Sequence, residues 1–219
     1  MNIKIVNYSK KIKGKIVLDN INLEFHSKRI YGIRGVNGSG KTMLLRAICG
    51  FLISSSGKIT IDGEVLGKDI DFPSSVGVMI ETPAFLNNMT AFDNLKLLCK
   101  IKNEVSDTDI ESALNRVGLS PCDSKKFGKF SLGMKQRLGI AAAIVEKPEL
   151  LMLDEPFNAL DQNGIQLISK IIKEEKDRGA LVILVCHDND LLKNLTDEII
   201  EIKNGRCKTN EKKENNKVD

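Results

Sequence analysis

Residues 35–42, Gly-Val-Asn-Gly-Ser-Gly-Lys-Thr, have the types and spacing to hold a phosphate chain. They fit G-x-x-x-x-G-K-[ST] at every fixed position. An apolar, β-rich run (Ile30, Tyr31, Ile33) leads into them, and apolar residues at helical spacing (Leu44, Leu45, Ile48) follow. That strand–loop–helix context separates a phosphate cradle from a chance glycine-rich turn. The glycines let backbone N–H groups close around an anion, and the helix N-terminus adds partial positive charge. Lys41 is placed to reach the β- and γ-phosphates, and the Thr42 hydroxyl to ligate Mg²⁺. The nucleotide-contacting set is therefore Gly35, Asn37, Gly38, Ser39, Gly40, Lys41, Thr42 and the adjoining Met43.

A second site element is a pair of carboxylates. The apolar run Leu150–Leu153 ends in Asp154-Glu155-Pro156. Open α/β sheets bind ligands at the C-terminal ends of their strands. A carboxylate there can hold Mg²⁺, directly or through water, and the next can act as general base on an attacking water. Asp154 takes the first role and Glu155 the second. Alone, the pair would equally fit a strand that ends in a helix cap; beside a phosphate loop it means nucleotide hydrolysis.

These residues need elements to position them. Residues 2–7 and 17–25 read as strands, and two β-rich runs ahead of the loop imply an antiparallel flap. Residues 58–66 carry Asp62-Gly63 between β-type flanks, a hairpin signal. Residues 76–80 form another short strand. From 84 to 147 the texture turns helical, with amphipathic stretches at Thr90–Lys102, at Asp109–Val117 ended by Gly118, and from Ser131 to before Pro148. A helix follows from about Asn163 to Arg178, ended by Gly179; then comes the continuous apolar run Leu181–Cys186, as in a buried parallel strand. Residues 197–202 form a last strand, and Asn204-Gly205 a turn. The fold class is α/β: a P-loop nucleotide-hydrolase core with a mostly parallel sheet, an N-terminal antiparallel β subdomain and an inserted α-helical subdomain. Residues 1–206 form one domain, with 1–83 and 148–206 as the core and 84–147 as the helical part. Residues 207–219 are a polar tail, expected to be disordered.

Composition narrows the partners. Hydrophobic residues at 42 % and charged residues at 28 % are ordinary for a globular domain of this length. Five scattered cysteines without C-x-x-C spacing fit reduced thiols rather than disulfides or a zinc site. The N-terminus lacks the apolar core of a signal peptide, and no run of about 18 apolar residues exists to span a membrane. The net charge is +4, but residues 203–219 hold six basic and three acidic residues and so carry +3 of it. The body is nearly neutral, which speaks against a nucleic-acid partner.

The order of these features carries a resemblance. Phosphate loop, FSLGMKQR at 130–137, LLMLDEP at 150–156, NALD at 158–161 and His187 after a buried strand together resemble the nucleotide-binding subunit of an ABC transporter, over about residues 3–206. Leu132 stands where the family signature has its first Gly, and Met134 where it has Gln. This variant resembles exporters that protect bacteria against peptide antibiotics, which implies export of a peptide antibiotic or a lipid-like substrate. The resemblance implies ATP and Mg²⁺ as ligands, a separate membrane permease, and a second nucleotide-binding chain, either a copy or a paralogue. It also implies a cytoplasmic location, peripheral on the inner face of the membrane. Ser131 would cap a helix in any reading; the resemblance adds that Ser131 and Gly133 meet the γ-phosphate held by the other subunit. It implies that His187 contacts the γ-phosphate and orients Glu155 and water, and that Asp161 couples the two sites. Residues 83–89, next to Glu81, would form part of the permease groove.

Two positions depart from the family pattern. Glu81 stands where a Gln normally touches Mg²⁺ or the attacking water. A carboxylate there can bind the metal more tightly, be held neutral, or point away. Ile12 stands in the register of the aromatic that stacks on adenine, leaving only apolar contact; Tyr8, four residues earlier, reads as core. Two other classes share these motifs in part: a soluble ABC ATPase acting on ribosomes or nucleic acid, and a kinase or GTPase sharing the loop. The body offers neither a second cassette, a basic face nor an acceptor site for them.

Overall fold

The computed structural model of the chain describes residues 1–81, 83–101 and 105–209. Its larger sheet has six strands in the order β10 (Arg206–Thr209), β9 (Glu198–Lys203), β3 (Ile30–Arg34), β8 (Leu181–Val185), β7 (Leu150–Asp154) and β6 (Val76–Met79). All neighbouring pairs are parallel except β10 on β9. The apolar runs of β7 and β8 reflect burial on both faces. Leu151, Leu153, Val182 and Leu184 enter a core shared with the helices, while Leu150, Met152, Ile183 and Val185 face the other side. On that other side lie α1 (Lys41–Ile48) and a four-stranded antiparallel sheet ordered β2 (Lys15–His26), β1 (Asn2–Ile12), β4 (Ser56–Ile61), β5 (Glu64–Val65).

The helices of the first core are α2 (Ala91–Cys99), α3 (Asp107–Arg116), α4 (Leu132–Ile144), α5 (Gln162–Arg178) and α6 (Asn189–Leu195). Each of these five starts at a side-chain cap that accepts from a backbone N–H: Thr90, Ser106, Ser131, Asp161 and Asp188. Gly179 ends α5 in the left-handed conformation, φ 116°. Helices α2–α4 all lie between the neighbouring strands β6 and β7. The Asp62-Gly63 turn joins β4 to β5, with both residues at positive φ, as a two-residue hairpin demands.

The first two strands run longer than expected, and the C-terminal end of the fold differs more. Strand β10 takes in Cys207–Thr209, because the Asn204-Gly205 turn folds the chain back antiparallel on β9 and Cys207 packs on the core. The polar tail therefore begins after Thr209, and residues 210–219 lie outside the described residues. Helix α6 has no counterpart in the sequence reading; its short apolar face is Leu191, Leu192 and Leu195 behind the Asp188 cap.

Candidate functional site

Strand order decides which loops meet. From β3 through β8 and β7 to β6, four parallel strands end on the same edge of the sheet. Those ends carry, in turn, the phosphate loop, His187, Asp154 with Glu155, and Glu81. Residues distant in sequence thus line one groove of about 980 Å³, which holds Asn37, Lys41, Thr42, Glu81, Asp154, Glu155 and His187.

The loop is braced from below. Gly205 N–H donates to the Ser39 carbonyl at 2.8 Å, and Asp19 N–H to the Gly205 carbonyl at 2.8 Å, so the β9–β10 turn clips the loop to β2. A Cβ on Gly35 would stand 2.2 Å from the Ile202 carbonyl oxygen, so this position excludes a side chain. Helix α1 starts at Gly40 in the left-handed region with no side-chain cap, leaving its first N–H groups for an anion. Lys41 is only 7 % exposed, and its ammonium donates to the carbonyls of Gly35 (2.8 Å) and Val36 (3.2 Å). Ser39 Oγ is buried with no hydrogen-bond partner among the described residues. A buried ammonium and an unpaired hydroxyl beside uncapped N–H groups fit a phosphate chain.

Thr42 Oγ1 donates to Asp154 Oδ2 at 2.7 Å. A hydroxyl and a carboxylate are hard oxygen donors, the set Mg²⁺ prefers when substrate phosphates and water complete its shell. Among the described residues no group of three His, Cys, Asp or Glu could hold a metal unaided. Glu155 Oε1 lies 3.0 Å from His187 Nε2, but it has no hydrogen bond in the alignment present, which leaves that oxygen free for water. Burial pushes the Glu155 carboxyl above the usual range; nearby His187 opposes the rise and Asp154 adds to it. A raised pKa makes a better proton acceptor.

The remaining expected residues fall into three places. Gly35 and Ser39 lie under the loop rather than in the groove lining. Ser131, Gly133 and Asp161 are also absent from that lining, although Leu132, 67 % exposed, and Ala159 reach it. Ser131 Oγ accepts from Met134 N–H at 3.2 Å, and Asp161 Oδ1 from Gly164 N–H at 2.8 Å, so both act as helix caps. Ile12 also lies outside that lining. It pairs with Lys15 at the tip of the β1–β2 hairpin, and the strand that returns from the tip supplies Lys15, Ile16 and Val17 to the groove. The apolar side chain on offer there is Ile16, 51 % exposed. Tyr8 is core, its hydroxyl donating to the Leu52 carbonyl at 2.8 Å.

Glu81 lines the groove in an ion pair with Arg46 of α1 (2.5 Å). Its negative charge is matched by a side chain that the motif itself does not include. Arg46, Gln136, whose amide donates to the Glu155 carbonyl, and the bracing turn at Gly205 are the contributors that sequence reasoning missed. Asn204-Gly205 left a signal as a turn and Gln136 as part of FSLGMKQR, though without its role; Arg46 left none.

Comparison with known proteins agrees with this geometry. Residues 18–158 match the ABC transporter family. The chain is 51 % identical over 210 residues to the ABC transporter ATP-binding protein YybJ of Bacillus subtilis, covering 96 % of each. It is 38 % identical to the bacitracin transport ATP-binding protein BcrA of Enterococcus faecalis, over 90 % of this chain but 65 % of that protein. The fold superposes on a dimeric bacterial ABC transporter cassette, MJ0796, with a TM-score of 0.86 at 24 % identity, covering 96 % of this chain and 98 % of that one. The chain therefore belongs to the ABC transporter family, as an ATP-binding, ATP-hydrolysing subunit.

Proposed function

We propose that two such chains close head to tail over two ATP molecules and drive export of a peptide antibiotic through a separate membrane permease. The observation that carries the hydrolytic part is the single sheet edge on which Lys41, the Thr42–Asp154 pair and the Glu155–His187 pair face one groove. Lys41 exchanges its loop carbonyls for phosphate oxygens. Thr42 and Asp154 hold Mg²⁺, which when bound draws charge from the phosphates. Glu155 accepts a proton from the attacking water, and His187 keeps that carboxylate in place. Ser131 and Gly133 present the start of α4 to the ATP of the partner chain, and Asp161 lies between the two sites.

The second chain is supported by the exposed Leu132 at the groove edge and by the cassette solved as a dimer. The substrate class is supported by the relative that bears the name of bacitracin transport. Among the described residues no helix is long and apolar enough to cross a membrane; in this reading the permease provides the transport path. The chain then sits peripherally on the cytoplasmic face. Residues 84–147 act as the helical unit, and residues 83–89 face the permease. A tagged pull-down from detergent-solubilised membranes, read by mass spectrometry, tests this. A polytopic permease in the eluate is the expected result. A ribosome or a nucleic-acid complex in its place overturns the transport reading and leaves the site chemistry standing.

A further inference from the structure

The segment 155–161 joins Glu155 to Asp161 and holds an unusual backbone. Glu155 (φ 51°) and Ala159 (φ 61°) both occupy the left-handed region without being glycine. Such conformations persist only where the surroundings over-determine them. Here the surroundings are strand β8, two hydrogen bonds within the segment (Asn158 N–H to the Glu155 carbonyl, Leu160 N–H to the Phe157 carbonyl) and one face of α4. Gly133, Gln136 and Arg137 fall at i, i+3 and i+4, so they stack on one side of its first turns. Gln136 Nε2 donates to the Glu155 carbonyl at 2.8 Å. The Ala159 carbonyl oxygen lies 2.9 Å from where a Cβ on Gly133 would stand, so a side chain there would push the segment away. Arg137 lies 3.6 Å from Asp161 Oδ1.

Glu155 is thereby fixed on both sides of its Cα. Its N–H donates to the Val185 carbonyl of β8 at 2.9 Å, and its carbonyl accepts from the Gln136 amide at 2.8 Å and, within the turn, from Asn158 N–H at 3.3 Å. The carboxylate that projects between these anchors lies 3.0 Å from His187. We propose that Gln136 is a positioning residue for hydrolysis. It locks the left-handed turn that aims Glu155, and it makes the aim depend on where the N-terminus of α4 sits. Engagement of that N-terminus by a second molecule is then delivered to Glu155 through one side-chain amide. The inference rests on Glu155 being the base.

The test measures kcat by phosphate release and ATP affinity by equilibrium titration on the full-length chain. The variants are Gln136→Met, Gln136→Glu and Glu155→Gln, together with the Gln136→Met/Glu155→Gln double variant. Met keeps the volume and removes the donor; Glu sets a carboxylate against the carbonyl, so either variant carries the test if the other fails to fold. The expected result is a fall in kcat of about tenfold or more with ATP affinity changed less than about twofold, since misaiming a catalytic group costs rate and not ground-state binding. In the Glu155→Gln background, Gln136→Met should add no further loss. Parental kcat in both Gln136 variants beside a crippled Glu155→Gln overturns the inference and leaves the base intact. Losses that multiply in the double variant also overturn it, since Gln136 would then act elsewhere. Parental turnover in Glu155→Gln overturns the base reading itself.

Discussion

The loop at 35–42 and the start of α4 both offer a helix N-terminus to an anion, but only the loop has the rest of a site around it. At the loop, α1 begins uncapped, Lys41 is buried beside it, and Thr42 is already paired with Asp154. At α4 the Ser131 hydroxyl caps its own helix, and the next residue, Leu132, is 67 % exposed. The first region is finished within one chain. The second, on the proposed reading, is half of a site whose other half is another chain's loop. On that reading, their difference would let one chain bind ATP alone and still need a partner to hydrolyse it.

Breaking the finished half should have the largest effect. Lys41→Ala removes the cation placed at the phosphates and the charge-assisted hydrogen bonds it would make to their oxygens. Each such bond is worth about 1.5–3 kcal/mol, so ATP affinity should fall about a hundredfold or more in an equilibrium titration. Unchanged affinity would refute the cradle. Breaking the unfinished half should separate binding from turnover. Ser131→Arg should leave ATP affinity within about twofold but lower kcat about tenfold or more, at a stability cost of about 1 kcal/mol for the lost cap. Equal losses of both quantities would mean that Ser131 serves its own chain's site.

The smallest effect is expected at Glu81. Its side chain is 61 % exposed and pairs with Arg46, and exposed pairs contribute about 0–1 kcal/mol. Glu81→Gln should keep or raise ATPase activity, because it removes a negative charge beside phosphates and frees Arg46. Loss of most activity would show that the carboxylate has a role the ion pair does not reveal.

How much of this was legible in the sequence follows the same division. Residues 35–42 and 150–155 could be read because each is a contiguous motif set by local chain geometry. Buried strands β7 and β8 showed as unbroken apolar runs because both faces are covered. The Arg46–Glu81 pair, the Gln136 amide on Glu155 and the Gly205 clip on Ser39 join residues far apart in the chain. Only strand order brings them together, and no local spacing encodes that order. That Ile16 rather than Ile12 lines the groove was hidden for a related reason: where a hairpin reverses fixes which strand faces the groove, and a one-strand count cannot see it. Helix α6 is too short for its periodicity to stand out.

The central claim is that Glu155 performs hydrolysis inside a dimer closed on ATP. The most direct measurement is the solution mass of the Glu155→Gln chain with saturating Mg²⁺ and ATP, taken together with its turnover rate. The account predicts a stable dimer that retains unhydrolysed ATP, while the parent chain hydrolyses its ATP and returns to monomer. A Glu155→Gln chain that turns over ATP at the parental rate, or stays monomeric with ATP bound, would contradict it.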